Sequence, residues 1–179
     1  MSERVRIRNA DANDAAVLAA MGARTFRDTF AADNTPTDME AYLAKAFSVE
    51  RMASELADPG NWFLLALSAP TGEVAGYAKL RTGSIEPSVS GPAPLELQRL
   101  YVERSAMGGG FGAALMEACL ATARADGFQT LWLGVWEHNA RALAFYRRWG
   151  FEVVGAHEFR LGEDVQTDLI MQRPVAGVS

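Results

Sequence analysis

From Leu95 to Gly127 the chain reads LELQRLYV, then ERSAM, then GGGFG, then an alanine-rich apolar run. This order predicts a strand, a tight glycine turn and a helix that opens at the last glycines. Gly108, Gly109, Gly110 and Gly112 let backbone N–H groups crowd together with no Cβ in the way. At a helix N-terminus such groups lack intrahelical partners and lie at the positive end of the helix dipole, which suits a phosphate. The plainer alternative is a flexible glycine turn between two elements. A Walker A loop is excluded because Phe111-Gly112-Ala113 supplies neither lysine nor hydroxyl. Gly108, Gly110 and Ala113 meet the spacing of a dinucleotide fingerprint, but Glu103 to Met107 separate them from the strand, and too little chain follows for repeated strand–helix units.

The strand carries a second signal. Leu95 and Leu97 alternate with Glu96 and Gln98, whereas the next apolar members are Leu100 and Val102. Side chains alternate faces with period two, so a change of parity near Gln98–Arg99 predicts an inserted residue, a β-bulge. A bulge there leaves backbone groups free for a ligand and parts this strand from its neighbour.

The flanking sequence is that of one α/β (α+β) domain spanning residues 1–179. Val5 and Ile7 mark an opening strand, and Asp11 to Asn13 cap a helix through about Met21. Phe26 and Phe30 follow as core candidates. Pro36 to Phe47 and Val49 to Ala57 form a helical pair, stopped by Asp58-Pro59-Gly60. Trp62–Ser68 and Val74–Leu80 read as a β-hairpin, and the Pro- and Gly-rich segment from Thr82 to Pro94 reads as an exposed loop. After the glycine turn, a helix runs to about Asp126 with Gly127 as its C-terminal stop, and Thr130–Trp136 is a buried parallel strand. Ala142, Phe145, Tyr146 and Trp149 sit at helical spacing behind Asn139, and two strands, Phe151–Gly155 and Val165–Met171, complete the fold.

A net charge of −5 gives no footprint for nucleic acid or an anionic membrane. No apolar run approaches the roughly 20 residues of a membrane span, and the first ten residues lack a signal core, so the expected setting is the cytoplasm. Cys119 lies in an apolar helix and reads as a small core residue. His138 and His157 are not spaced as metal ligands and read as surface or packed residues.

Leu100 to Val102, Gly110-Phe111-Gly112, and Asn139-Ala140 followed by Phe145-Tyr146 and Gly150-Phe151 together resemble the GNAT superfamily of acetyl-CoA-dependent N-acetyltransferases, and the order of elements matches along nearly the whole chain. The resemblance implies a mixed central sheet of about seven strands, splayed at a bulge and flanked by helices. It implies that pantetheine pairs with the backbone of Leu100, Tyr101 and Val102, and that pyrophosphate rests on N–H groups from Gly108 to Ala113, that is Gly108, Gly109, Gly110, Phe111, Gly112 and Ala113. Met107 stands where the family has glutamine or arginine, so one side-chain hydrogen bond near the phosphates is missing. Asn139 either contacts the pantetheine or caps its helix, or does both. Tyr146 corresponds to the family's general acid, the alternative being a buried aromatic. Glu96, eleven residues before Met107, stands where several members carry a glutamate base, the alternative being a solvated strand glutamate. Glu103 is a weaker candidate. A backbone N–H of the bulged strand would polarise the carbonyl. The implied reaction is direct attack of a primary amine on acetyl-CoA. ELQRLYV, ARTFRDTF and LGEDVQTDLIM resemble bacterial members acting on polyamines or small amines. A protein N-terminus or lysine as acceptor, and an acyl-CoA sensor without turnover, stand as alternatives. By analogy, Phe159 to Met171 could form a homodimer interface.

Overall fold

The computed structural model describes residues 4–176. Strand β1 (Val5–Asn9) leads through a short 3-10 turn into helix α1 (Ala15–Phe30), followed by α2 (Pro36–Ala46) and α3 (Val49–Ala57). The hairpin of β2 (Asn61–Ser68) and β3 (Val74–Arg81) precedes β4 (Pro94–Val102), α4 (Phe111–Ala125), β5 (Thr130–Trp136), α5 (Ala140–Arg148), β6 (Glu152–Leu161) and β7 (Asp164–Pro174). The seven strands form one sheet in the order β1-β2-β3-β4-β5-β7-β6, in which only β4 and β5 are parallel.

Local chemistry explains the helix ends. Asp11 and Asp14 form a capping box before α1, while Thr35 and Ser48 accept N–H bonds at the starts of α2 and α3. Gly127, at φ 81°, ends α4: the Phe128 N–H reaches Ala123 O at 2.9 Å and the Gly127 N–H reaches Arg124 O at 3.2 Å. Helix α1 runs nine residues beyond the stop expected near Met21. Phe26, buried, and Phe30, partly buried, lie one turn apart on its inner face, and their packing holds the helix through Gly22. A Cβ at Gly22 would collide with Phe47, so close packing of α1 requires glycine there. The last two strands are also longer than their apolar cores suggest, because β6 and β7 pair along nearly their full length.

The sheet separates two apolar cores. On one face, Leu95, Leu97, Leu131, Leu133 and Val135 pack with α4 and with Leu143 and Tyr146 of α5. On the other, Leu65, Tyr77 and Leu161 pack with Leu18, Phe26, Leu43 and Phe47 from α1 to α2 and its C-terminal end. No helix among the described residues is long and apolar enough to cross a membrane.

Candidate active site

The expected bulge is present. Lys79 pairs with Arg99 and Leu80 with Leu97, which leaves Gln98 as the extra residue of β4. Leu95 and Leu97 face the α4 core, and beyond the bulge Leu100 and Val102 return to that same core. Arg99 and Tyr101 therefore turn to the opposite face, where the Tyr101 ring meets Tyr77 edge-on at 5.4 Å.

The bulge coincides with a parting of strands. β4 and β5 pair only at Pro94–Thr130, Leu95–Leu131 and Glu96–Trp132, although both strands run on for several residues. The backbone of Leu100 to Val102 thus has β3 on one side and no strand on the other. The gap opens into a cleft of about 1290 Å³ that reaches from the start of α4, between the strands, to the face covered by α1 and α2.

At the α4 end, Gly110 is the N-cap at φ 87°, with no side chain bonded to the helix start. The first helical bond is Ala114 N–H to Gly110 O at 3.1 Å. The N–H groups of Phe111, Gly112 and Ala113 accordingly precede the helical ladder. Met107, 43% exposed, stands at the rim and donates nothing. Arg104, Arg141 and Arg148 line the same cleft, and none is in an ion pair among the described residues. Sequence reading passes over them because single surface arginines carry no pattern. An apolar slot between parted strands, orphan amides and three free guanidinium groups fit an acyl-CoA: thioester arm, pyrophosphate and outer phosphate each find complementary chemistry.

Asn139 caps α5, its Oδ1 accepting the Ala142 N–H at 3.2 Å while the residue lines the cleft. Tyr146, about two turns on, is 9% exposed and lines the cleft, and its hydroxyl makes no hydrogen bond among the described residues. Burial raises its phenol above the ordinary value, with Tyr101 and Cys119 adding to the shift, so the proton is retained at neutral pH. Burial also pushes the Cys119 thiol up to about 12, and it lines no part of the cleft.

Glu96 lies at the last paired position before the gap. It is 8% exposed, lines the cleft, and is ion-paired through Oε1 to Arg81. Glu103 is bound to Arg24 and does not line the cleft. Arg99 places Nη1 3.0 Å from Glu55 Oε1, a carboxylate that also holds Lys79 and Arg51. Burial alone would raise Glu55, but Arg99 and Lys79 hold it at about 2; burial and Arg99 lower Lys79 to about 8 against the pull of Glu55.

On the far side, Asp168 of β7 sits opposite both Trp136 of β5 and His157 of β6. His157 Nδ1 lies 3.1 Å from Glu86, and its Nε2 lies 3.8 Å from Asp168. Burial holds the Asp168 carboxyl above its usual range, with His157 opposing. Phe26, Phe30, Tyr42, Phe159 and Trp136 form a continuous aromatic wall beside it, with neighbouring ring centroids 4.5 to 6.3 Å apart. His157 was expected at the surface or packed, and in the fold it is half-exposed at the cleft edge. No cluster of three or more metal-ligating side chains occurs among the described residues.

The profile of the acetyltransferase (GNAT) family matches residues 24–151. An uncharacterized N-acetyltransferase of Lactobacillus delbrueckii subsp. lactis, named for the pepI 3′ region, is 36% identical over 169 residues, covering 94% of this chain and 96% of that protein. The L-methionine sulfoximine/L-methionine sulfone acetyltransferase of Pseudomonas aeruginosa is 31% identical over 110 residues, 56% of this chain and 62% of that one. The PaiA N-acetyltransferase of Thermoplasma acidophilum, solved with coenzyme A, shares the fold at a TM-score of 0.76 and 21% identity, covering 97% of this chain and 99% of that one. The parted strands, the amide-lined helix start and the family match lead to one assignment: the chain belongs to the GNAT family of acetyl-CoA-dependent N-acetyltransferases.

Proposed function

We propose that this enzyme acetylates a small primary amine by direct attack, with Tyr146 as proton donor to the leaving sulfur and Glu96 as base acting through water. The observation that carries the reading is the gap beyond Glu96 and Trp132, which joins the cofactor side of the sheet to an open face in one cleft. The acetyl donor supplies the thioester, and the backbone of Leu100 to Val102 and the amides from Gly108 to Ala113 hold it in the gap. Arg104, Arg141 and Arg148 add charge for its phosphates. The exposed Met107 contributes packing alone, so the amides carry the contact.

Amines have pKa values near ~10 and are mostly protonated at neutral pH. Glu96 has one oxygen on Arg81 and the other without a partner among the described residues, which suits it to draw the proton through a chain of waters. The amine nitrogen bonds to the carbonyl carbon as the C–S bond breaks. An N–H of the bulged strand stabilises charge on the carbonyl oxygen. Tyr146 donates a hydrogen bond to the thiolate as it forms, and its proton passes to sulfur and is replaced from solvent. A phenol kept neutral by burial is ready for this in every turnover.

The acceptor is a small molecule in this reading. The name of the Pseudomonas aeruginosa relative describes small amino-acid derivatives as that protein's substrates. A polyamine, the acceptor suggested by the sequence, would have to bring several cations past Arg99, whose cluster already carries excess positive charge. Thiol release from acetyl-CoA across amino acids, amino sugars, polyamines and short peptides tests the reading. Release with a small amine and a product heavier by one acetyl group is expected, whereas CoA binding without release on any amine would favour a sensor.

A smaller prediction concerns the glycine turn. Gly110→Ala places a Cβ in the left-handed region and should cost about 1–2 kcal/mol of stability, read by denaturant unfolding. It should also weaken CoA binding in calorimetry, because the same φ aims the α4 amides into the cleft.

A further inference from the structure

Resting on the reading that the open face receives the acceptor, we infer that the acceptor is a zwitterion, an amino acid with an apolar or aromatic side chain, its ammonium held by Asp168 and its carboxylate by Arg99.

Asp168 is an incomplete ion pair. Its side chain is 18% exposed and lines the cleft, yet no hydrogen bond reaches it among the described residues. Its nearest charged neighbour, the His157 Nε2, stands at 3.8 Å, beyond hydrogen-bond range, and the opposite nitrogen of that ring is engaged by Glu86. A carboxylate removed from water without donors is costly, and an ammonium supplies up to three. Gly134, beside Asp168 on the neighbouring strand, has no side chain to fill the space: a Cβ built there would lie 3.6 Å from Asp168 Oδ2.

Arg99 is incomplete in the opposite sense. It is 9% exposed, lines the cleft, and meets a carboxylate through Nη1 alone. Glu55 is shared with Lys79 and Arg51, so three cations surround one anion and two positive charges are in excess. A guanidinium with unused donors in such a field favours a carboxylate over a second amine. Arg99 and Asp168 lie on the same face of the sheet, on β4 and β7 with only β5 between them. Tyr42 and Tyr101 line the same cleft as Arg99 and Asp168, and both charges act on their hydroxyls. Anion, cation and aromatic wall thus converge on one small molecule bearing the three matching groups.

The test is calorimetry on the CoA-saturated enzyme with L-phenylalanine, L-leucine and L-methionine, their primary amides, 2-phenylethylamine and spermidine. At least one free amino acid should bind about 10- to 100-fold more tightly than its amide, the effect of one charge-assisted hydrogen bond. Arg99→Lys should shrink that ratio, and Asp168→Asn should weaken amino acids and amines alike with CoA affinity unchanged. Amides or spermidine binding as tightly as the free acids, or none of the eight binding, would overturn the inference. The same ligands are assayed for thiol release. Turnover on amines without preference for a carboxylate overturns the zwitterion and leaves acetyl transfer standing. Carboxylate-dependent binding without thiol release on any ligand supports the zwitterion site and removes the transferase reading.

Discussion

Tyr146→Phe lowers kcat about 10²- to 10⁴-fold, the usual range for loss of a positioned proton donor, and leaves CoA affinity within a factor of two or so. The substitution removes one oxygen that forms no hydrogen bond in the protein, so packing against Phe145 and Phe151 is kept. Buried tyrosines that serve only packing lose little stability and no rate when the hydroxyl goes. A donor to sulfur acts only while the C–S bond is breaking, so its loss falls on kcat rather than on binding. Thiols with a lower pKa leave without help. A thioester donor built on a more acidic thiol should therefore recover part of the lost rate in the variant. Steady-state rates and CoA calorimetry on both proteins check the prediction.

Glu55→Gln destabilises the fold by about 3–5 kcal/mol, the cost typical of leaving buried charges uncompensated. Glu55 is 7% exposed and is the anion to which both Lys79 and Arg99 are bonded, each of them under 10% exposed. Glutamine retains the shape and one acceptor but removes the charge, which leaves two buried cations repelling one another. Denaturant unfolding measures the loss. The pH dependence has a definite sign. The folded carboxyl at about 2 lies below its ordinary value near 4.5, so its contribution is present above pH ~4.5 and fades as pH falls toward about 2. The variant should lack that part of the acid-induced decline. Since Glu55 also orients Arg99, acceptor KM should rise in the variant while CoA affinity holds.

What the sequence made legible was local. The parity change in LELQRLYV points to a bulge near Gln98–Arg99, and the structure has it at Gln98, because the side-chain period of a strand is a strict two and any extra residue shows as a shift. The glycine turn, the start and stop of α4, and the Asn139 cap are equally local, each set by backbone chemistry within a few residues. The proposed acceptor face was not legible. Asp168 lies in the middle of a strand that reads only as apolar alternation, and it meets the cleft because β7 is inserted between β5 and β6. Arg99 and Glu55 are 44 residues apart, and their pairing depends on how α3 packs beneath the sheet. The length of α1 was missed for a related reason: Gly22 looks like an end, but the contact with Phe47 that requires glycine is a tertiary one.

In the proposed reading both ligands enter one cleft, and no residue lining that cleft offers a thiol: Cys119 is fully buried in the α4 core. Acetyl transfer should therefore be direct, with donor and amine bound together. Initial rates measured while acetyl-CoA and the best amine are varied against each other test this most plainly. Intersecting double-reciprocal lines are the predicted result; parallel lines, the mark of an acetylated enzyme on the path, would contradict it.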